Sequence, residues 1–233
     1  MSHATKILMI LTSHASMGNT GHATGVWFEE LATPYYAFID AGADVDIASI
    51  AGGRIPIDPR SLSAEGENTP SVDRFRKDAA AMRKIEASHK IDEVSAEPYD
   101  AIFLPGGHGT MWDLPGSARL AELLSAAWKE GKVVSAVCHG PAGLVNAKDS
   151  DGAPLVKGRR VSAFTNREEE AAGLTAVVPF LLETRLRELG ARYEKGPDFQ
   201  PHAVRDGRLV TGQNPASSEE VARLVLQAVN GKH

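Results

Sequence analysis

Apolar runs typical of buried strands alternate with helical patterns along most of the chain. The near-continuous apolar run Lys6–Thr12 is typical of a strand buried on both faces of a sheet. Four further runs predict strands, at Asp44–Ile50, Tyr99–Pro105, Val133–Val137 and Arg160–Thr165. Helical patterns predict helices at Val26–Ala41, Asp113–Gly131, Val177–Gly190 and Ala216–Asn230. Because strands and helices alternate, we predict an α/β fold with a mostly parallel central sheet and helices on both faces.

Local signals refine this pattern. Pro34 predicts a kink or a break in the first helix, and Gly42 predicts its end. The segment His202–Gly212 predicts a β-hairpin with an Asp-Gly turn. The run Glu168–Glu170 predicts an acidic turn after the fifth strand.

Residues 51–98 interrupt the alternation of strands and helices. A loop with glycine and proline comes first, and the charged, alanine-rich stretch Ser71–Ser88 has high helix propensity. This part holds too few large apolar residues to form a core of its own. We therefore predict a single domain over residues 1–233, with an insertion at 51–98 that either gates a pocket or contacts a second subunit.

Composition and charge exclude several classes of function. Hydrophobic residues make up 42% of the chain and charged residues 24%, which is ordinary for a globular protein. The net charge of −5 leaves no basic excess for binding nucleic acid or a membrane surface. One cysteine cannot form an internal disulfide, and the residues before Lys6 lack the apolar core of a signal peptide. No apolar run approaches the ~20 residues needed to span a bilayer, so we expect a cytoplasmic protein.

The single cysteine, Cys138, stands where the apolar run 133–137 ends abruptly. Small residues and Pro141 follow it, and a helix can begin at Ala142. This layout is typical of a nucleophile elbow, a tight strand-to-helix turn that presents a reactive side chain. A helix N-terminus would favour the thiolate, and His139 is adjacent in sequence. The alternative is a buried structural cysteine, because free cysteine is among the most buried residue types.

Two loops that follow predicted strands are rich in residues suited to ligand binding. The loop Ser13–Gly25 contains His14 and His22, but neither has a partner at metal-ligand spacing. In Gly106–Thr110, backbone amides beside Gly107 can approach a ligand closely because glycine has no Cβ. No H-x-x-x-H or paired cysteine pattern occurs, and the first loop lacks a G-x-G-x-x-G. We therefore predict no metal and no dinucleotide cofactor.

Four short motifs in a fixed order carry a family resemblance. They are Thr24–Glu30, Pro105–Thr110, Ala136–Pro141 and Thr211–Ser217. Together they resemble the ThiJ/PfpI superfamily, and within it the branch of glyoxalase III and heat-shock chaperone proteins. The similarity runs from about residue 6 to residue 229. It implies a flavodoxin-like three-layer sandwich related to class I glutamine amidotransferase domains, and a homodimer.

The resemblance implies catalytic roles at matching positions. Cys138 matches the family nucleophile, and His139 matches the histidine that follows it in this branch. Glu30 matches the acidic residue that reaches the cysteine from the first helix. Its neighbour Glu29 is the less suitable candidate, because a helix turns ~100° per residue and both side chains cannot reach one thiol.

The resemblance also implies residues that support these groups. A carboxylate after the fifth strand partners the histidine, and three residues, Glu168–Glu170, compete for this role. The spacing from the preceding strand and to the glycine downstream favours Glu169. The backbone amides of Gly107 and His139 match an oxyanion site, and Trp27 matches a substrate-binding position.

The implied activity is a glyoxalase that needs neither glutathione nor a nicotinamide cofactor. The cysteine would add to the aldehyde of methylglyoxal, and lactate would be released; glyoxal is the other small dicarbonyl expected as a substrate. The alternatives are a stress-related chaperone or redox sensor, and a cysteine hydrolase or deglycase of the same superfamily. Glutaminase activity is disfavoured, because His202 has no acidic residue two positions later.

Overall fold

The computed structural model describes residues 4–231 and contains a central seven-stranded sheet. The strands of this region are β1 (Lys6–Leu11), β2 (Asp44–Ser49), β3 (His89–Lys90), β4 (Ala101–Leu104), β5 (Val133–Val137), β6 (Arg160–Val161), β7 (Arg192–Tyr193), β8 (Ala203–Asp206) and β9 (Leu209–Gly212). The order in the sheet is β3-β2-β1-β4-β5-β9-β8. All neighbouring pairs are parallel except β8 and β9, and β6 pairs with β7 outside the sheet.

Helices cover both faces of the sheet. The α-helices of the described chain are α1 (Phe28–Asp40), α2 (Pro70–Lys77), α3 (Ala79–Glu86), α4 (Thr110–Asp113), α5 (Ala118–Lys129), α6 (Asn166–Ala171), α7 (Leu182–Glu188) and α8 (Ser218–Val229). Ile7 and Met9 of β1 pack in a cluster with α1 and α8, whereas Leu8 and Ile10 pack with α5. This alternation follows from the two-residue period of a strand. The predicted α/β sandwich with a mostly parallel sheet is confirmed.

The hairpin and the end of the first helix form as expected. The antiparallel pair β8–β9 confirms the predicted hairpin. Gly42, with a φ of +83°, follows the end of α1. However, α1 is not broken at Pro34, whose ring is buried within the helix. Burial of Leu31 and Phe38 on the same helix outweighs the one hydrogen bond that proline removes.

Two long helices predicted from periodicity are each interrupted. The helix predicted at Asp113–Gly131 is wrong as one element, because Pro115 and the following glycine separate α4 from α5. Ser117 then caps α5 by accepting a backbone N–H at 3.1 Å. The stretch Ser71–Ser88 divides at Asp78, whose extended backbone ends α2 and whose carboxylate caps α3.

The region after Cys138 differs from the prediction in two places. A 3₁₀-helix at Gly140–Leu144 replaces the α-helix expected from Ala142, and Pro141 at its start lacks a backbone donor. Of the strand predicted at Arg160–Thr165, only the first two residues pair, and they pair with β7. The next backbone N–H donates instead to a threonine side chain of β9.

Two further elements are shifted. The helix predicted at Val177–Gly190 begins only at Leu182, because Pro179 interrupts the backbone donors before it. Glu168–Glu170 lie within α6 rather than in a turn. The side chain of Thr165 accepts the Glu168 N–H at 3.0 Å, which caps this helix.

Residues 51–98 pack against the core of the main sheet. Phe75 of α2 and Ile85 of α3 belong to the apolar cluster that contains α1, and β3 extends the sheet beside β2. This shared core supports one domain with an insertion, which stays a prediction. Within residues 4–231, no helix is both long and apolar enough to cross a bilayer. Residues 1–3, which entered the argument against a signal peptide, lie outside the described residues.

Candidate active site

Cys138 occupies a strained turn directly after β5. Its φ of +59° is in the left-handed region that non-glycine residues rarely adopt. The turn is held on both sides, because the Cys138 N–H donates to Gly212 O and the Phe164 N–H donates to Cys138 O, each at 2.9 Å. Gly140 makes the turn possible, since a Cβ there would lie 2.2 Å from the carbonyl oxygen of Leu104. This geometry is that of a nucleophile elbow.

Glu30 reaches the thiol from the first turn of α1. Its Oε2 accepts the Gly106 N–H at 2.7 Å, while Oε1 is buried without a hydrogen-bond partner of standard geometry among the described residues. Burial raises the pKa of Glu30 to about 8, although interactions with Cys138 and the Gly106 N–H lower it in part. Glu29, the neighbouring acid, is only partly buried. The structure therefore brings Glu30, rather than Glu29, to the cysteine.

The surroundings of Cys138 disfavour its thiolate form. Burial raises its pKa, and the Glu30 carboxylate raises the pKa further. The expectation that a helix N-terminus would favour the thiolate is therefore wrong here. The element that follows is a short 3₁₀-helix, whose dipole does not offset the desolvation of a fully buried sulfur.

His139 lies between the thiol and a carboxylate. Its Nδ1 is 3.3 Å from Cys138 Sγ, and its Nε2 is 2.7 Å from Glu169 Oε2. Because a carboxylate accepts, Nε2 carries the proton and the Nδ1 lone pair faces the sulfur. Burial raises the pKa of Glu169, but His139 and a second histidine outweigh burial and hold that pKa well below its usual range. Glu169 is thus an anion that holds the His139 ring with its Nδ1 lone pair toward the sulfur.

Of the three candidate acids in α6, only Glu169 contacts a histidine. Glu170 is exposed. Glu168 is fully buried, but its oxygens accept backbone N–H groups of Thr165 and Phe199 at 2.9 and 2.8 Å. It also accepts the side-chain amides of Gln213 and Asn214 at 3.0 and 2.9 Å, as part of the scaffold around the site.

The second histidine at Glu169 is His108. Its Nε2 is 2.7 Å from Glu169 Oε1, so the carboxylate holds one imidazole on each oxygen. The other ring nitrogen, Nδ1, accepts from Arg60 Nη2 at 3.2 Å. Burial, and to a lesser extent the neighbouring His139, lower the pKa of His108 to about 4. His108 is therefore a neutral imidazole at physiological pH, with its proton on Nε2.

Arg60 connects this histidine to the insertion at residues 51–98. The buried Asp58 accepts from Arg60 Nε at 3.0 Å and from Nη2 at 2.6 Å, a bidentate pair. Asp58 also accepts the Thr24 hydroxyl at 2.9 Å. A chain of polar contacts therefore begins in the insertion and ends at the cysteine. Its members, in order, are Asp58, Arg60, His108, Glu169, His139 and Cys138.

A cavity of about 200 Å³ opens onto the thiol. Its lining is mainly apolar and aromatic, and consists of Trp27, Arg60, Gly107, His108, Cys138, His139, Phe164, Ala172, Phe199 and Pro215. The backbone N–H groups of Gly107 and His139 have no acceptor among the described residues. Two such donors beside a nucleophile can stabilise a negatively charged oxygen. Of the predicted site residues, Trp27, Gly107, Cys138 and His139 line this cavity. Glu30 and Glu169 do not line it but hydrogen-bond to Gly106 and to His139.

Residues 23–228 match the sequence model of the DJ-1/PfpI family. The chain belongs to the DJ-1/PfpI family. This confirms the resemblance seen in the four sequence motifs. The glutathione-independent glyoxalase of Saccharomyces cerevisiae is 34% identical over 235 residues, which cover 96% of this chain and 98% of that protein.

Solved structures of similar proteins share the whole fold of this DJ-1/PfpI protein. The crystal structure of glyoxalase III from Candida albicans has a TM-score of 0.90 at 30% identity and covers 98% of both chains. The Rapid Encystment Protein 24 KDa of Francisella tularensis has a TM-score of 0.92 at 40% identity, covering 97% of this chain and 99% of that one. The flavodoxin-like sandwich implied by the resemblance is therefore confirmed.

Two residues of the site were not singled out from the sequence. His108 lies in the glycine-rich loop directly after β4, and its position beside the neighbouring strand β5 is a signal that could have identified it. Arg60 lies in the insertion and carries no motif, so nothing in the sequence points to it.

The three groups His108, His139 and Glu169 form a cluster that could hold a metal ion, with ligand atoms within 4.8 Å of one another. Both imidazole Nε2 atoms already donate to the carboxylate, so an ion would have to replace two hydrogen bonds of 2.7 Å. A protonated Nε2 cannot ligate a metal. The absence of a metal stays a prediction.

Proposed function

We propose that this protein is a glutathione-independent glyoxalase that converts methylglyoxal, or a similar small dicarbonyl, into a 2-hydroxy acid. The observation that carries this proposal is the thiol of Cys138 in a small cavity, 3.3 Å from the Nδ1 of His139 and coupled to the buried Glu30. The glyoxalase names of the relatives in Saccharomyces and Candida support it.

The first step is addition of the thiol to the aldehyde carbon. His139 Nδ1 takes the thiol proton as the sulfur attacks, because burial and Glu30 raise the pKa of the thiol above its usual range. The carbonyl oxygen becomes negatively charged, and the free N–H groups of Gly107 and His139 donate to it. The His139 imidazolium then donates the former thiol proton to this oxygen, which gives a hemithioacetal and restores neutral His139. Glu169 stabilises the imidazolium of His139 at Nε2.

The second step is an internal oxidation and reduction. A base removes the proton from the former aldehyde carbon, the electron pair passes through an enediol to the adjacent ketone carbon, and a proton is returned there. The first carbon is oxidised to a thioester while the second is reduced to an alcohol, so no external oxidant is needed. Water then cleaves the thioester and restores the thiol.

Two groups can carry the proton between the carbons. Glu30 can do so in its carboxylate form, and its pKa of about 8 makes that carboxylate a stronger base than an ordinary glutamate. His139, neutral again once the hemithioacetal has formed, can instead remove the proton from the first carbon and return it to the second. The variant Glu30→Gln distinguishes these two candidates, because it keeps the size of the side chain and removes the exchangeable acid. A fall of kcat of about a hundredfold would assign the proton transfer to Glu30.

The decisive experiment is lactate formation from methylglyoxal without glutathione, with D- and L-lactate measured separately. We expect turnover by the wild type and none by Cys138→Ala. Activity retained by Cys138→Ala would contradict the proposal. The chaperone alternative predicts that Cys138→Ser still prevents aggregation of an unfolded client, whereas a redox sensor would show peroxide oxidation at Cys138 by mass spectrometry.

We also propose that the protein is a cytoplasmic homodimer without nucleic-acid or membrane partners. The single cysteine and the net charge of −5 support the location and the lack of such partners. The dimer rests on the family resemblance alone. Light scattering coupled to size-exclusion chromatography checks it, since a mass near the 24.8 kDa of one chain would contradict it.

A further inference from the structure

Phe199 lies at the mouth of the Cys138 cavity in an unusual conformation. Its side chain lines the cavity, yet the residue is 49% exposed. Its φ is +58°, and apart from Cys138 no other non-glycine residue of the described chain has a positive φ. A bulky side chain in this region is a genuine outlier. Strained residues of this kind concentrate at functional sites.

The surrounding scaffold holds Phe199 in this conformation. The turn closes through a hydrogen bond from Gln200 N–H to Pro197 O at 3.2 Å, and glycine or asparagine usually occupies the Phe199 position of such turns. The Phe199 N–H donates to the buried carboxylate of Glu168 at 2.8 Å. Asn214 donates to the carbonyl oxygen of Gln200 at 2.8 Å. The backbone is therefore fixed by buried groups, which does not require an aromatic side chain.

The ring of Phe199 continues an aromatic wall that reaches the catalytic base. Its centroid lies 6.2 Å from that of Phe164, at an interplanar angle of 63°. Phe164 in turn packs against His139, with centroids 4.4 Å apart. The ring thus stands between solvent and the cavity that holds the thiol.

We propose that Phe199 is a specificity-determining residue that narrows the mouth of the cavity. It limits substrates to α-ketoaldehydes with a short substituent and excludes those with a bulky one. The identity of the substrate class rests on the proposed glyoxalase function. The narrowing of access to Cys138 does not depend on that function.

The first experiment compares methylglyoxal with tert-butylglyoxal as substrates. In Phe199→Ala and Phe199→Gly, we expect the ratio of kcat/KM for the bulky over the small substrate to rise roughly tenfold, the order of one apolar contact in a pocket. Phe199→Gly also removes the backbone strain, so its fold is not at risk. Phe199→Tyr keeps the ring and should leave the ratio unchanged. Leu62→Ala, at an exposed leucine that does not line the cavity, is the matched control.

The second experiment measures access to the thiol without any substrate. Because the chain has one cysteine, alkylation by N-ethylmaleimide and by fluorescein maleimide reports Cys138 alone. We expect the rate ratio of the bulky to the small reagent to rise roughly tenfold in Phe199→Gly. Unchanged ratios in Phe199→Gly, for substrates and for reagents alike, would overturn the inference. Loss of the proposed function would appear differently, as wild-type inactivity toward methylglyoxal with the alkylation result intact.

Discussion

Cys138 and Glu30 share one buried environment in which neither side chain ionises at its usual pH. Burial and the neighbouring carboxylate raise the pKa of the thiol, and burial raises the pKa of Glu30 to about 8. Burial therefore disfavours a charge on either side chain. A protonated thiol is a poor nucleophile, and the Nδ1 of His139 lies 3.3 Å from the sulfur, within reach of its proton.

Glu30→Gln should lower the pH at which Cys138 becomes reactive. Glu30 is ionised before the thiol titrates, and removal of this negative charge lowers the pKa of the thiol. The pH midpoint of the iodoacetamide reaction with Cys138 measures the change. Glu29→Gln, at a neighbour one helix position away, should leave the midpoint in place. An unchanged midpoint in Glu30→Gln would show that the two side chains do not interact, and a higher one would show that Glu30 lowers the pKa of the thiol; either contradicts the prediction.

His108→Phe should weaken catalysis at acidic pH without removing any group that touches the thiol. The hydrogen bond from His108 helps to lower the pKa of Glu169, so that pKa should rise when the donor is lost. We expect kcat to fall about tenfold, the order of one hydrogen bond to a charged group. The acid limb of the kcat/KM profile should also move to higher pH. His108→Gln keeps an N–H donor and should recover most of the activity; an unmoved acid limb in both variants would contradict this role.

At the scale of elements, the strand predictions from apolar runs were more reliable than the helix predictions that ignored caps and prolines. The apolar runs of β1 and β5 identify buried strands without further information. Predictions based on periodicity alone extended helices through Asp78 and Pro115. Both positions could have been recognised in the sequence, Asp78 as a helix cap and Pro115 as a helix breaker. The 3₁₀-helix after Cys138 was not readable. It depends on the close approach of Gly140 to a carbonyl of β4, which is a tertiary contact.

Thr165→Ala should disturb the site through the helix that carries Glu169. The Thr165 hydroxyl caps α6, and its loss should cost about 1 kcal/mol in the free energy of unfolding. Glu169 sits in the first turn of that helix, so kcat/KM should fall as well. Ser117→Ala removes the equivalent cap of α5 and should cost similar stability while activity is kept. Urea unfolding and methylglyoxal turnover on both variants test this, and equal activity losses would contradict a specific effect of α6.

At the scale of the molecule, parallel topology explains why much of the site was predictable. Because β4 and β5 are neighbours, the loops that follow them, with Gly107 and Cys138, meet at one edge of the sheet. The family resemblance added Glu30 and Glu169. Arg60 could not be predicted, because it reaches His108 from an insertion with no regular pattern, and only the folded chain brings the two together.

Glu30 should also make the stability of the whole protein depend on pH. Folding raises its pKa from 4.5 to about 8, so between these values the folded state holds a proton that the unfolded state has released. The stabilisation from this group is complete below about pH 4.5 and is lost as the pH rises through 8. The loss amounts to about 5 kcal/mol, at 1.36 kcal/mol per pKa unit. Urea unfolding of the wild type and Glu30→Gln from pH 5 to pH 8 measures it: the variant should gain stability relative to the wild type with each step in pH. Glu170→Gln, at an exposed acid of α6, is the control, and a constant difference between Glu30→Gln and the wild type would show that Glu30 ionises normally.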